Sequence, residues 1–203
     1  MLHRLISIEG NIGAGKTTLA TLIANATGRQ LVLERFEENP FLAAFYEHPE
    51  QHALNTELFF LSQRFNQWIE LPDVPIVADY SFAKSLYFAE VTLKGEEFDN
   101  FNEIYQGLKL IVRPPDLILY LYRTTEQLSQ HITQRGRVYE QEIPETYLQQ
   151  IQDNYLRHLR LLSNQAIVLI DAQNRDFLQK PEDLQWLLEL LQQELPLGIT
   201  AVH

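Results

Sequence analysis

The chain has 203 residues, 45% of them apolar, which is enough for one well-buried core and asks for no second domain. It contains no cysteine, so disulfides and thiolate metal sites are excluded, and its six histidines (His3, His48, His52, His131, His158 and His203) show no ligand-like spacing. A net charge of −11 gives no general attraction to nucleic acid or anionic membrane, so an anionic ligand needs local positive charge.

In chain order, the start MLHRLISIEG lacks the basic region and cleavage site of a secretory signal. No apolar run approaches the roughly 20 residues of a membrane span. The expectation is a cytoplasmic protein with one unit over residues 1–203. Leu5–Glu9 predicts a strand entering a glycine turn, and Thr17–Ala26 has the apolar spacing of a helix directly after it. Further strands are predicted at Leu31–Leu33, Pro75–Ala78, Leu117–Leu121 and Ala166–Ile170. Helices are predicted at Asn55–Leu71, Glu126–Arg135, Tyr147–Leu162 and Leu184–Leu195, and the last residues, GITAVH, read as a frayed end. Five strands alternating with helices imply a parallel sheet covered on both faces, an α/β three-layer fold.

Gly10-Asn11-Ile12-Gly13-Ala14-Gly15-Lys16-Thr17 matches the phosphate-loop pattern G-x-x-x-x-G-K-[ST], with a strand before it and a helix after it. The glycines let backbone N–H groups wrap a triphosphate, and the helix N-terminus adds a favourable dipole. Lys16 reaches the outer phosphates and Thr17 is placed to hold Mg²⁺, so residues 10 to 18, Thr18 included, are the candidate nucleotide loop. The third strand ends in Asp79-Tyr80-Ser81, where an acid is either a site residue or the cap of the helix that follows. A strand end beside a phosphate loop is where ligands bind in open α/β sheets, which favours the site.

The segments LERFEENPF (33–41), FYEHPE (45–50), ELFFLSQRF (57–65), ADYSFAKS (78–85) and RGRVYEQEIPETYL (135–148) resemble, in order and spacing, the deoxynucleoside kinase family. The resemblance covers residues 4–176 and implies a P-loop NTPase-type fold with a five-stranded parallel sheet, flanking helices and an arginine-bearing lid over residues 135–144. It implies ATP and Mg²⁺, a deoxynucleoside substrate and a homodimer. On the matching positions, Glu34 would face the 5′-hydroxyl, Tyr46 and Glu140 would hold the sugar 3′-hydroxyl, and Arg135 and Arg137 would stabilise the transferred phosphate. Asp79 would accept the hydroxyl proton, assisted by Glu34, and with Thr17 would organise Mg²⁺.

Three positions depart from the family pattern. Tyr80 stands where an arginine usually follows the acid, which moves the positive charge to Lys16, Arg135, Arg137 or Arg35 and argues for an uncharged acceptor. Glu57 takes the place of a base-reading Gln, seven residues before Arg64; ionised Glu offers acceptors only, so it favours a base that presents donors, unless it is protonated. Gln63 points elsewhere on an ideal helix. Arg64 is a substrate-site candidate whose usual acidic partner is replaced by Ser85, leaving Glu57 or another acid to pair with it. The expected function is transfer of the γ-phosphoryl group of ATP to the 5′-hydroxyl of a deoxynucleoside. The rivals are a nucleoside monophosphate kinase of the thymidylate type and a non-catalytic ATP-binding regulatory protein.

Overall fold

The computed structural model describes residues 2–202; His203 lies outside them. Among the described residues, six strands form one parallel sheet in the order β2-β3-β1-β4-β5-β6. They are β1 (Leu5–Gly10), β2 (Gln30–Val32), β3 (Ile76–Ala78), β4 (Leu117–Tyr122), β5 (Ala166–Asp171) and β6 (Gly198–Val202). The first five fall within one residue of the predicted strands at every end, because strands buried on both faces, as β1, β3 and β4 are, read as apolar runs. The expected five-stranded sheet has a sixth strand, built from the supposedly frayed end. β6 pairs with β5 from Ala166↔Gly198 to Ile170↔Val202, so the backbone N–H and C=O groups on that side are satisfied by a strand distant in sequence.

Among the described residues, eight α-helices cover the sheet: α1 (Lys16–Thr27), α2 (Leu42–Glu47), α3 (Pro49–Ile69), α4 (Lys84–Thr92), α5 (Glu96–Lys109), α6 (Thr125–Arg135), α7 (Glu145–Leu161) and α8 (Pro181–Leu190). Sequence periodicity misses α2, α4 and α5 and starts α3 six residues late, although Pro49 at the first helical position and Glu50 in the first turn are start signals. Alternate strand residues face opposite layers. Ile6, Ile8, Val77, Leu119 and Val168 pack with Leu19 and Ile23 of α1, Leu128 and Ile132 of α6 and Leu187 of α8. On the other face, Leu5, Ile76 and Ala78 meet α3 and α5, while Ile118, Tyr120 and Ile167 meet α4 and α7. No helix among the described residues is long and apolar enough to cross a membrane.

A buried acid links this core to the loop after β3. Glu9 of β1 is fully buried; its Oε1 accepts the Ser81 N–H at 2.7 Å and its Oε2 accepts the Tyr155 hydroxyl at 2.9 Å. Burial pushes its carboxyl pKa up against these hydrogen bonds and the charge of Lys84. The Ser81 bond fixes the turn between Asp79 and the start of α4, and so sets where α4 begins. Neither Asp79 nor Ser81 caps that helix, since its N-cap is Ala83 with no side-chain cap bond.

Candidate active site

The loop between β1 and α1 is held open by backbone conformation. Gly13 has φ +81°, and a Cβ there would lie 2.7 Å from the Leu128 carbonyl oxygen, so only glycine fits between loop and α6. Gly10, at φ +148°, would likewise put a Cβ 2.8 Å from the Leu121 carbonyl. Residues Gly13 to Thr18 line a cavity at the N-terminus of α1, whose far side is formed by Arg123, His131 and residues 176–179. Asn11 braces the loop from behind: its Nδ2 donates to the Leu148 carbonyl at 2.7 Å and its Oδ1 accepts the Ile12 N–H at 2.8 Å. The Lys16 ammonium donates to the Asn11 carbonyl at 2.8 Å, and burial together with the Lys84 charge pulls its pKa down to about 7. Phosphate oxygens would supply the negative charge that this buried cation lacks.

A second cavity lies across Lys16, lined by Leu42, Phe45, Tyr46, Glu57, Phe60, Arg64, Lys84, Phe88, Glu140 and Tyr147 among others. Seven residues line both cavities: Lys16, Thr17, Glu34, Phe36, Asp79, Arg135 and Arg137. At this junction the Thr17 hydroxyl donates to Asp79 Oδ2 at 2.7 Å, and Asp79 Oδ1 accepts the Glu34 N–H at 2.8 Å. Burial, then the neighbouring Glu34 charge, raises the Asp79 pKa above its ordinary value. Glu34 behaves oppositely. Burial alone would raise its pKa, but Lys84 and Arg64 override that and hold it down at about 2. Its Oε2 accepts from Lys84 Nζ at 2.5 Å, and its Oε1 from Arg64 Nε and Nη2 at 2.8 and 2.6 Å.

One sequence expectation changes here. Lys84, on the first turn of α4, lines the second cavity, while Arg35 is exposed at a separate surface hollow. Tyr80 itself is fully buried, stacks at a tilt on Trp68 with centroids 5.2 Å apart, and donates to Gln67 Oε1 at 2.6 Å. It follows Ile76 and Ala78 onto the α3 side of the sheet, so an uncharged residue there says nothing about the charge of the acceptor. Tyr80→Phe is therefore expected to leave kcat within about twofold while lowering stability by about 1 kcal/mol, the net worth of one hydrogen bond; steady-state kinetics and a thermal melt check both. Of the partners left open for Arg64, the pairing falls on another acid, Glu34; Arg64 also donates to Ser85 Oγ at 3.1 Å and makes no hydrogen bond to Glu57. Gln63 donates to Glu38 at the surface hollow and does not line the cavity.

The lid brings Arg135, Arg137 and Glu140 together. Arg135 and Arg137 (the latter at 3.2 Å) both bond the buried Glu140, and the Arg137 guanidinium lies 3.8 Å above the Phe36 ring. Tyr46 stacks on Tyr139 at 6.0 Å, and burial and the Glu140 charge raise its hydroxyl pKa, so the phenol stays protonated. Tyr46 and Glu140 thus line one cavity, with the lid arginines gathered on the Glu140 carboxylate. Sequence reading also missed Arg123, whose guanidinium bonds the carbonyls of Ala14, Ala172 and Arg175 and clamps the phosphate loop to the turn after β5. Thr17 and Asp79 form a compact pair of hard oxygen donors, which suits Mg²⁺, an ion that takes one or two protein ligands and fills the rest with phosphate and water.

A family model described as deoxynucleoside kinase matches residues 6–195. The deoxyguanosine kinase of Bacillus subtilis (strain 168) is 33% identical over 190 residues, covering 89% of this chain and 92% of that protein. The deoxyadenosine kinase of Dictyostelium discoideum is 29% identical, covering 81% of this chain and 70% of its own length. Among solved structures, a deoxyadenosine kinase from M. mycoides with bound dCTP superimposes with a TM-score of 0.81 at 22% identity, over 93% of this chain and 98% of that one.

Proposed function

The chain belongs to the deoxynucleoside kinase family, ATP-dependent phosphotransferases, and from that premise we propose how this site moves the γ-phosphoryl group of ATP to the 5′-hydroxyl of a deoxynucleoside. The observation that carries the reading is the junction: a phosphate-loop cavity and a second, aromatic-walled cavity meet at two carboxylates, a buried lysine and two lid arginines. Donor phosphates lie on the loop and the nucleoside lies across Lys16, so that donor and acceptor oxygens converge there.

The two acids divide the roles. Asp79, bonded to the Thr17 hydroxyl, would hold Mg²⁺ together with it, and the metal would supply positive charge against the donor phosphates. Glu34, aimed into the acceptor cavity, receives the 5′-hydroxyl and takes its proton. This departs from placing the proton on Asp79, and what supports it is that Asp79 is bonded to Thr17 on the phosphate-loop side, whereas Glu34 is held by Arg64 and Lys84, which line only the acceptor cavity. A Glu34 pKa near 2 makes it a weak base, but in a loose phosphoryl-transfer transition state the proton leaves late, so orientation matters more than basicity. Lys84 and Arg64 hold that orientation. Lys16, Arg135 and Arg137 stabilise the charge spread over the transferred group, while Tyr46 and Glu140 hold the sugar.

The acceptor is uncharged in this reading because, with Lys16 committed to the donor phosphates, the other cations lining its cavity among the described residues already face carboxylates. Lys84 and Arg64 are paired with Glu34, and Arg135 and Arg137 with Glu140. A monophosphate acceptor would need one of these pairs broken. Magnesium dependence, a homodimer and a cytoplasmic location complete the proposal, with no nucleic-acid or membrane partner. The test is ATP-dependent ADP release with each deoxynucleoside and each deoxynucleoside monophosphate. Turnover confined to deoxynucleosides is expected; turnover of monophosphates alone would identify the thymidylate-type rival, and no turnover at all the regulatory one.

A further inference from the structure

Glu57 is an ionisable group in the acceptor cavity that the transfer step leaves unused. It sits on α3 at 2% exposure, and its Oε1 accepts from the Thr92 hydroxyl at 3.0 Å, but its Oε2 has no hydrogen-bond partner among the described residues. The adjacent Thr56 Oγ1, also buried at the cavity wall, has none either. Arg64 does not relieve Glu57, because its guanidinium is directed to Glu34 and Ser85. Between the aromatic walls of Phe60 and Phe88, a carboxylate oxygen without a donor is costly, and a ligand that fills the cavity must bring donors to it.

We propose that Glu57 selects deoxynucleosides whose base presents two adjacent N–H donors, the ring N1–H and 2-amino group of a 6-oxo-2-aminopurine, which makes deoxyguanosine the preferred substrate. The inference rests on the kinase reading above. A carboxylate offers acceptors only. Adenine and cytosine present an amine beside a ring nitrogen lone pair, which would oppose one carboxylate oxygen. Thymine presents a single ring N–H between two carbonyls. Only the guanine edge supplies two donors side by side to one carboxylate.

Protonation sharpens the discrimination. Burial raises the Glu57 pKa to about 7, against the pull of Arg64 on its own helix and Lys84 on α4, while Glu34 beyond β2 pushes in the same direction as burial. Tyr46 of α2 and Tyr147 of α7 face it as neutral phenols. The ionised form reads guanine, and the protonated form, with one donor and one acceptor, reads adenine. Preference for deoxyguanosine over deoxyadenosine therefore increases as pH rises through about 7.

The test measures kcat/KM for deoxyguanosine, deoxyinosine and deoxyadenosine with the unmodified protein and Glu57→Gln, at pH about 6 and about 8. The unmodified protein is expected to favour deoxyguanosine over deoxyadenosine by about 100-fold or more at the higher pH, with deoxyinosine, which lacks the 2-amino donor, between them. Glu57→Gln, nearly isosteric, should cut that ratio at least about tenfold and remove its pH dependence. Turnover without a deoxyguanosine preference, or a ratio unchanged by Glu57→Gln, overturns the base assignment and leaves the kinase reading standing. Failure to phosphorylate any deoxynucleoside overturns the kinase reading, and the base assignment with it.

Discussion

Glu34→Gln is expected to lower kcat by about 10²–10⁴ while leaving the KM for ATP within a few-fold, the range for loss of a positioned proton acceptor. The change keeps the side chain's size and one acceptor oxygen for Arg64, but it removes the charge facing Lys84 and the site where the hydroxyl proton goes. Its companion, Asp79→Asn, is expected to lower kcat over a similar range and, in addition, to raise the Mg²⁺ concentration needed for half-maximal rate. The Asn amide nitrogen cannot serve as a hard oxygen ligand beside Thr17. The two variants are thus told apart by their Mg²⁺ titrations, not by the size of the rate loss. If Asp79→Asn leaves the Mg²⁺ requirement unchanged, the proton belongs to Asp79 and the division of roles is reversed. Thermal melts with and without ATP establish that each variant is folded and still binds the donor.

Lys84→Met is expected to reduce kcat by about 100-fold or more and to introduce a loss of activity at mildly acidic pH. Deleting one partner of a buried ion pair leaves the other partly uncompensated, an effect of about 3–5 kcal/mol when no second cation remains; Arg64 remains here and moderates it. Burial favours a protonated Glu34, and Lys84 is the larger of the two cations' influences that keep it ionised at about 2. Without Lys84 the Glu34 pKa moves up toward and beyond the ordinary 4.5, so the acid-side fall in activity shifts to higher pH. The stability consequence has a definite sign. A depressed carboxyl pKa contributes stability that is fully present above the unfolded value of 4.5 and is lost as pH falls through about 2, so Lys84→Met should also unfold at higher pH on acid titration. Lys84→Arg should recover part of the rate, and a pH-rate profile unchanged by Lys84→Met would show that the lysine does not act on Glu34.

Much of this protein is determined along the chain itself. A phosphate loop is a local object, with glycines for backbone freedom, a lysine and a hydroxyl at fixed spacing and a strand and helix on either side, so its place and chemistry follow from residues 10 to 18. Strands buried on both faces announce themselves as apolar runs, which is why the first five were legible. Tertiary structure decided what depends on direction and on distant partners. β6 exists only because β5 offers it an edge, and nothing within GITAVH separates an edge strand from a loose end. α4 buries Lys84, Ser85, Tyr87 and Ala89 between two layers, so it shows no single apolar stripe, and with it the cation at Glu34 stayed hidden. Pleating sends Tyr80 into the core with Ile76 and Ala78, which is why its identity carried less meaning than its position beside Asp79 promised. Whether Glu57 pairs with Arg64 or waits for a ligand also rested on geometry: Glu34, entering from another strand end, takes the arginine and leaves the carboxylate facing the cavity unanswered.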